Sequence, residues 1–228
     1  MSKDRVDITT SFNGSDILLF GAIKREAPIP EGAPLEVIVT VSGPLEEVTV
    51  RRKAKRFGIW VNTDAVQVDS APSFYAVASS APLADALTDV EDLRHQISIP
   101  RAIRAVGETA HVADVENFSE SLIRIRSSKG QYQLLEEQVA VDSQTLFRTS
   151  IQLPSALVEG DYTTRIFLTR DGKVISQLET SIDVDKVGLE RWLFDLSRQN
   201  AALYGLMSLA IAVFAGWGAS AIFSLVRT

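Results

Sequence analysis

Hydrophobic positions follow three different patterns along this chain. In the first third they alternate or run in short blocks. Residues 16–23 (DILLFGAI) form a continuous apolar run, the pattern of a strand buried on both faces. Leu35, Val37, Val39 and Val41 alternate and predict a strand with one apolar face. Ser42-Gly43-Pro44 turns the chain, Val48 and Val50 carry the alternation on, and residues 59–61 and 74–77 predict two more strands. Residues 27–34 (APIPEGAP) read as a loop. In the middle the period lengthens, and residues 81–95 and 114–127 predict helices. In the second of these Val115, Phe118, Leu122 and Ile125 recur at helical spacing, with Asp114 placed to cap the start and Gly130 just past the end. Alternation then returns. Residues 146–153 predict a strand; Tyr162, Thr164, Ile166 and Leu168 share one face of the next; Asp171-Gly172 is a hairpin turn of the kind that needs positive φ. The returning strand places Val174, Leu178, Ile182 and Val184 on one face. Short strands with turns between them predict a sandwich. A Tyr near a strand start after Gly160-Asp161 is the order seen in immunoglobulin-like sandwiches, where it bonds back to an earlier loop. The reading is a mainly β chain: an immunoglobulin-like β-sandwich over residues 1–185, with a helical insertion at about 80–130.

The third pattern is apolar without a period. Residues 201–226 read AALYGLMSLAIAVFAGWGASAIFSLV and carry no charge. About 20 mostly apolar residues cross a bilayer core, and at ~1.5 Å per residue this run reaches about 39 Å. It predicts one C-terminal transmembrane helix. Ser208, Ala212, Gly216, Ser220 and Ser224 recur at i, i+4 on it, a ladder of small residues that lets a second helix come close. Trp192, Tyr204 and Trp217 suit the headgroup levels, although Trp217 is deep enough to face a neighbouring helix. Residues 186–200 (KVGLERWLFDLSRQN) place Leu189, Trp192, Leu193 and Leu196 on one helical face, the pattern of an interfacial helix lying on the headgroups; a plain extension of the membrane helix is the alternative.

Composition narrows the chemistry. The 228 residues carry a net charge of −6, so the molecule as a whole is no polyanion binder. The chain has no cysteine, which removes disulfides, thiolate metal sites and cysteine nucleophiles. Its two histidines, His95 and His111, have no ligand-spaced partner. No nucleophile-elbow, phosphate-loop or dinucleotide fingerprint is present. We therefore expect no catalytic, cofactor-binding or metal-binding residues and no enzyme. Against the acidic background Arg51, Arg52, Lys53, Lys55 and Arg56 crowd into one short segment before Phe57-Gly58-Ile59-Trp60. The segment suits an anion, an acidic partner or anionic headgroups; nucleic acid is disfavoured, because no aromatic platform or second basic stripe accompanies it. A solvated strand end, where cations discourage edge pairing, is the plain alternative.

Several stretches resemble one family. They are residues 5–14 (RVDITTSFNG), 18–23 (LLFGAI), 48–53 (VTVRRK), 58–62 (GIWVN), 72–80 (PSFYAVASS), 186–191 (KVGLER) and the final helix. Together they are similar to the Alph_Pro_TM family of mostly alphaproteobacterial, membrane-anchored proteins. The resemblance implies a signal sequence just before Asp7-Ile8-Thr9-Thr10, which this chain lacks, hence a mature form whose domain faces the periplasm. That outweighs the basic residues Lys186, Arg191 and Arg198 before the helix, which by charge alone favour a cytoplasmic domain. It also implies genes near permeases of the sulfite/anion exporter type, and it assigns no catalytic residues to carry over.

The expected function is a non-enzymatic, single-pass accessory subunit of an inner-membrane complex, associated with an anion permease or with its own copy through the transmembrane helix and in contact with membrane lipid. A membrane-tethered periplasmic hydrolase with a carboxylate site in the 80–130 insertion is the first alternative, and a cytosol-facing tail-anchored adaptor the second.

Overall fold

The computed structural model describes residues 5–8, 14–24, 32–103, 115–186 and 189–226. The chain divides into two compact units, one holding Met1–Val6 and Phe12–Asp185, the other Asp7–Ser11 and Lys186–Thr228. Strands dominate the first. A six-stranded sheet runs in the order β1 (Arg5–Ile8), β11 (Lys173–Lys186), β10 (Gly160–Arg170), β3 (Glu36–Ser42), β6 (Tyr75–Ser79), β7 (Tyr132–Leu135). β11, β10, β3 and β6 pair antiparallel, and β7 joins β6 in parallel. β2 (Ser15–Ala22), β9 (Leu146–Leu153) and β8 (Ala140–Asp142) form a three-stranded sheet. β4 (Leu45–Arg56) and β5 (Ile59–Pro72) form a two-stranded ribbon.

The central strands are covered on both sides. Val37, Val39 and Val41 are buried as their alternation requires, but Ile38 and Thr40 between them are buried too, as is every residue of β6. The reason is the helical insertion. Ile38, Tyr75, Val77 and Phe167 share one face and pack with Ala86, Leu87 and Ile97, which belong to or adjoin α1 (Leu83–Ala86), α2 (Asp89–His95) and α3 (Ile99–Ala102). Asp92 holds this insertion closed: its carboxylate accepts bonds from the backbone N–H of Ile97 and Ser98 and from the Ser98 hydroxyl, at 3.1, 2.7 and 2.6 Å.

Three expectations need correction. The apolar run at 16–23 is not a doubly buried strand. In β2 only Ile17 is buried, while Leu18 and Phe20 stand out in solvent, because β2 is an edge strand of a sheet with one covered face. Val174 does not share a face with Ile182 and Val184. The register passes from Leu168↔Ser176 to Thr169↔Val174, so Ile175 is an extra residue, and the bulge turns Val174 to the insertion side with Phe167. In α4 (Val115–Ser128) Ile125 is exposed, and the buried stripe is Phe118, Leu122 and Arg126. The turn at Asp171-Gly172 does have positive φ at both residues, 51° and 71°, and Gly130 follows α4 at φ 68°. The capping expectation for Asp114 lies outside the described residues.

The Tyr162 hydroxyl donates to the Val158 carbonyl at 2.8 Å, the back-bond anticipated at that strand start. The sheets hold six, three and two strands rather than the four and three of a constant-type immunoglobulin sandwich. The immunoglobulin likeness thus rests on that local bond, while the mainly β architecture is general.

In the second unit, α5 (Leu189–Gln199) and α6 (Ala201–Val226) are separated by Asn200 alone. Asn200 N–H donates to the Leu196 carbonyl and Tyr204 N–H to the Asn200 carbonyl, both at 3.0 Å and at helical spacing. The first of these bonds closes α5 and the second opens α6, so Asn200 is the joint at which one helix ends and the next begins. Ala201–Ala219 is long and apolar enough to cross a membrane.

Candidate functional site

The basic segment is built into a long arm. β3 and β4 run on from one another, as do β5 and β6. The antiparallel ladder crosses the joint through Gly43 N–H to Phe74 O and Ser73 N–H to Pro44 O, both 2.8 Å. Pro44 and Pro72 have no N–H to donate, and at this point the paired strands leave the six-stranded sheet as the free β4–β5 ribbon. At ~3.3 Å per residue its 12-residue strand is about 40 Å long.

The base of the ribbon is clad by α4. Val68 and Ala71 are buried with Leu122, and Val48, Val50 and Ile103 pack around them. Arg52 belongs to this clad part, since its guanidinium lies 4.7 Å from the centre of the Phe118 ring. Beyond Arg52 the ribbon is in solvent. Arg51, Lys53, Lys55 and Arg56 are exposed and form no ion pair among the described residues. The strands pair as Lys53↔Asn62, Lys55↔Trp60 and Arg56↔Ile59, and Phe57-Gly58 turns between them with φ of 49° and 84°. Directly paired residues share a face and successive pairs alternate. One face of the tip therefore carries Lys53, Lys55 and Trp60, the other Arg56 and Ile59, and Phe57 stands at the apex. Phe57 is fully exposed, and Ile59 and Trp60 are 64% and 69% exposed. The structure thus joins three of the five predicted cations, Lys53, Lys55 and Arg56, to three large exposed hydrophobic residues, while Arg51 lies nearer the base and Arg52 stacks on Phe118. Alternation predicts strands on both sides of the basic segment, but neither their pairing with each other nor their separation from the sheet.

The second predicted site is the small-residue ladder. Ser208, Ala212 and Gly216 lie exposed on α6, while the side chains of Ser220 and Ser224 lie outside the described residues. The Ser208 hydroxyl donates to the Tyr204 carbonyl at 2.9 Å, so its proton is satisfied within the helix. A Cβ added at Gly216 meets no atom within 4 Å.

Two acidic residues of the insertion are tied into the fold. Besides Asp92, Glu91 is buried, accepts from Arg94 at 2.6 Å and from the Val174 N–H at 3.1 Å, and sits 3.6 Å from His95. Among the described residues no group of acids and histidines is arranged to hold a metal. His111 lies outside them. What sequence reasoning missed is the cluster around Arg126. This guanidinium is only 7% exposed. It donates to the Pro72 carbonyl, to the Tyr132 hydroxyl at 3.3 Å and to Glu46 at 3.2 Å, and Tyr132 also donates to Pro72 O at 2.9 Å. Burial pushes the Tyr132 phenol up to about 12, against the opposing pull of Arg126. The cluster pins α4 and β7 to the base of the ribbon.

Compared with known proteins, the chain matches the family described as "Putative transmembrane protein (Alph_Pro_TM)" over residues 1–224. No curated protein and no solved structure matches it.

Proposed function

The chain belongs to the Alph_Pro_TM family of transmembrane proteins, and we propose that it is a non-enzymatic accessory subunit, anchored in the bacterial inner membrane by α6 with its β-rich unit in the periplasm. Its partner is an integral membrane protein, a permease of the anion-exporter class or a second copy of this chain. The observation that carries the reading is the unpartnered α6, with Ser208, Ala212 and Gly216 exposed at i, i+4 and open space around Gly216. Small residues in this register admit close helix approach, where packing rather than hydrophobicity drives association in lipid.

Ala212→Leu combined with Gly216→Leu tests it. Both positions are exposed and a Cβ at Gly216 meets no atom within 4 Å, so stability of the β unit should be unchanged. Co-purification of the partner membrane protein, or self-association in vesicles, should fall by about tenfold or more, the loss of roughly 1.4 kcal/mol or more of packing. Retention of the complex at full yield would rule out this face. Orientation is tested separately with Ser143→Cys, which creates the sole thiol on an exposed turn. In intact cells expressing the full native reading frame, a membrane-impermeant thiol reagent should label it; protection that ends on lysis would place the β unit in the cytosol.

A further inference from the structure

We propose that the tip of the β4–β5 ribbon, residues 51–62, is a contact site for an anionic bilayer surface, separate from the helix that anchors the chain. Two independent features meet there. The first is charge. Residues 51–62 hold five cations and no acid in a chain whose net charge is −6, and Arg51, Lys53, Lys55 and Arg56 form no ion pair among the described residues. A surface of phosphate headgroups is the complement of that field. The second is the placement of the large apolar side chains. Phe57, Ile59 and Trp60 are exposed at the apex and on both faces of the ribbon. A protein partner met through one face would leave the other face's hydrophobe in water. A bilayer interface surrounds a narrow tip and covers both.

The geometry also suits the depth profile of an interface. Trp prefers the headgroup level. It is paired with Lys55, and Arg56 with Ile59, so each apolar group enters beside a cation whose long stem reaches back to phosphate. Both outer edges of the two-stranded ribbon present open backbone groups, which suits the hydrated headgroup level rather than the hydrocarbon core. The solvated-strand-end alternative accounts for the cations but not for a fully exposed Phe beside an exposed Trp and Ile.

The site is independent of the α6 docking face, and its test needs no partner protein. The full chain has three Trp, at 60, 192 and 217. Trp192→Phe and Trp217→Phe leave Trp60 as the only indole. This variant is reconstituted into vesicles whose acyl chains are brominated, made of phosphatidylglycerol or of phosphatidylcholine. It is also held in phosphatidylcholine nanodiscs and offered the same vesicles from outside. Roughly twofold quenching of Trp60 with a blue-shifted emission is expected in at least one arrangement with phosphatidylglycerol, not with phosphatidylcholine. It should vanish at ~1 M salt, where screening shortens to about 3 Å. It should vanish equally when Arg51, Lys53, Lys55 and Arg56 are all replaced by Gln, exposed positions whose loss leaves the core untouched. Trp60 emission unquenched in every arrangement, or quenched equally in both lipids, overturns the proposal. So does an acidic protein that binds the ribbon in a charge-dependent way while Trp60 stays in water.

Discussion

Arg126→Leu should lower the unfolding free energy by about 3 kcal/mol, among the largest losses available to a single surface-to-core contact in this fold. The guanidinium is buried and donates to Pro72 O, Tyr132 and Glu46, with its charged centre 5.4 Å from the Tyr132 ring. Leucine fills part of the volume but supplies no donor. The Pro72 carbonyl keeps the Tyr132 bond, which limits the damage there. Glu46 loses its partner, but its side chain is 39% exposed and water replaces much of that interaction. Glu46→Gln should therefore cost well under about 1 kcal/mol. Urea unfolding of the full chain, followed by the β signal in circular dichroism, compares the two. Equal losses for both variants would mean that the ion pair, rather than the guanidinium's bonds to Pro72 and Tyr132, does the holding.

The same cluster should make the β unit sensitive to alkali. The Tyr132 phenol is raised from 10.0 to about 12 because burial disfavours its anion. In the unfolded chain the phenol ionises near its ordinary value, so protonation favours the folded state only where the two differ. That contribution is complete below about pH 10 and is lost as pH rises through about 12, in total about 2–3 kcal/mol. Tyr75 and Tyr162 are shifted the same way, also chiefly by burial, and add to the alkaline loss. Tyr132→Phe isolates the contribution. Against wild type the variant should unfold more easily near pH 8 by about 1 kcal/mol, for the lost bond to Pro72 O, and the gap should close or reverse near pH 12. A difference that stays constant across that range would mean Tyr132 does not titrate with unfolding.

These two residues show where sequence reasoning stops. Phe118 and Leu122 are legible as the apolar stripe of α4, and apolar spacing makes Ile125 its next member. Helical spacing from 118 and 122 points equally to 126, but an arginine there counts as solvent-facing until Pro72, Tyr132 and Glu46 are brought beside it. Their separations in sequence are 54, 6 and 80 residues, and those to Pro72 and Glu46 are beyond any local period. The bulge at Ile175 is similar. Alternation of Val174 with Ile182 and Val184 holds only while the strand is regular, and one extra residue reverses the face.

The candidate sites divide along the same line. The membrane-length helix, its small-residue ladder and the basic run were all visible as composition and spacing within single segments. The turns at Asp171-Gly172 and at Gly130 were visible too, because positive φ restricts the residue type at one position. None of this required knowledge of a neighbour. Which face of each strand is covered is a different kind of fact. Ile38 and Thr40 are buried because the 80–130 insertion lies over them, while Leu18 and Phe20, in an equally apolar run, are left in water at a sheet edge. Local periodicity specifies which side chains share a face, but burial of that face depends on what arrives from elsewhere in the chain. For the same reason the basic run alone was an ambiguous strand end. The pairing of β4 with β5, and their departure from the sheet beyond Pro44 and Pro72, set Phe57, Ile59 and Trp60 among its cations at the tip of a free ribbon.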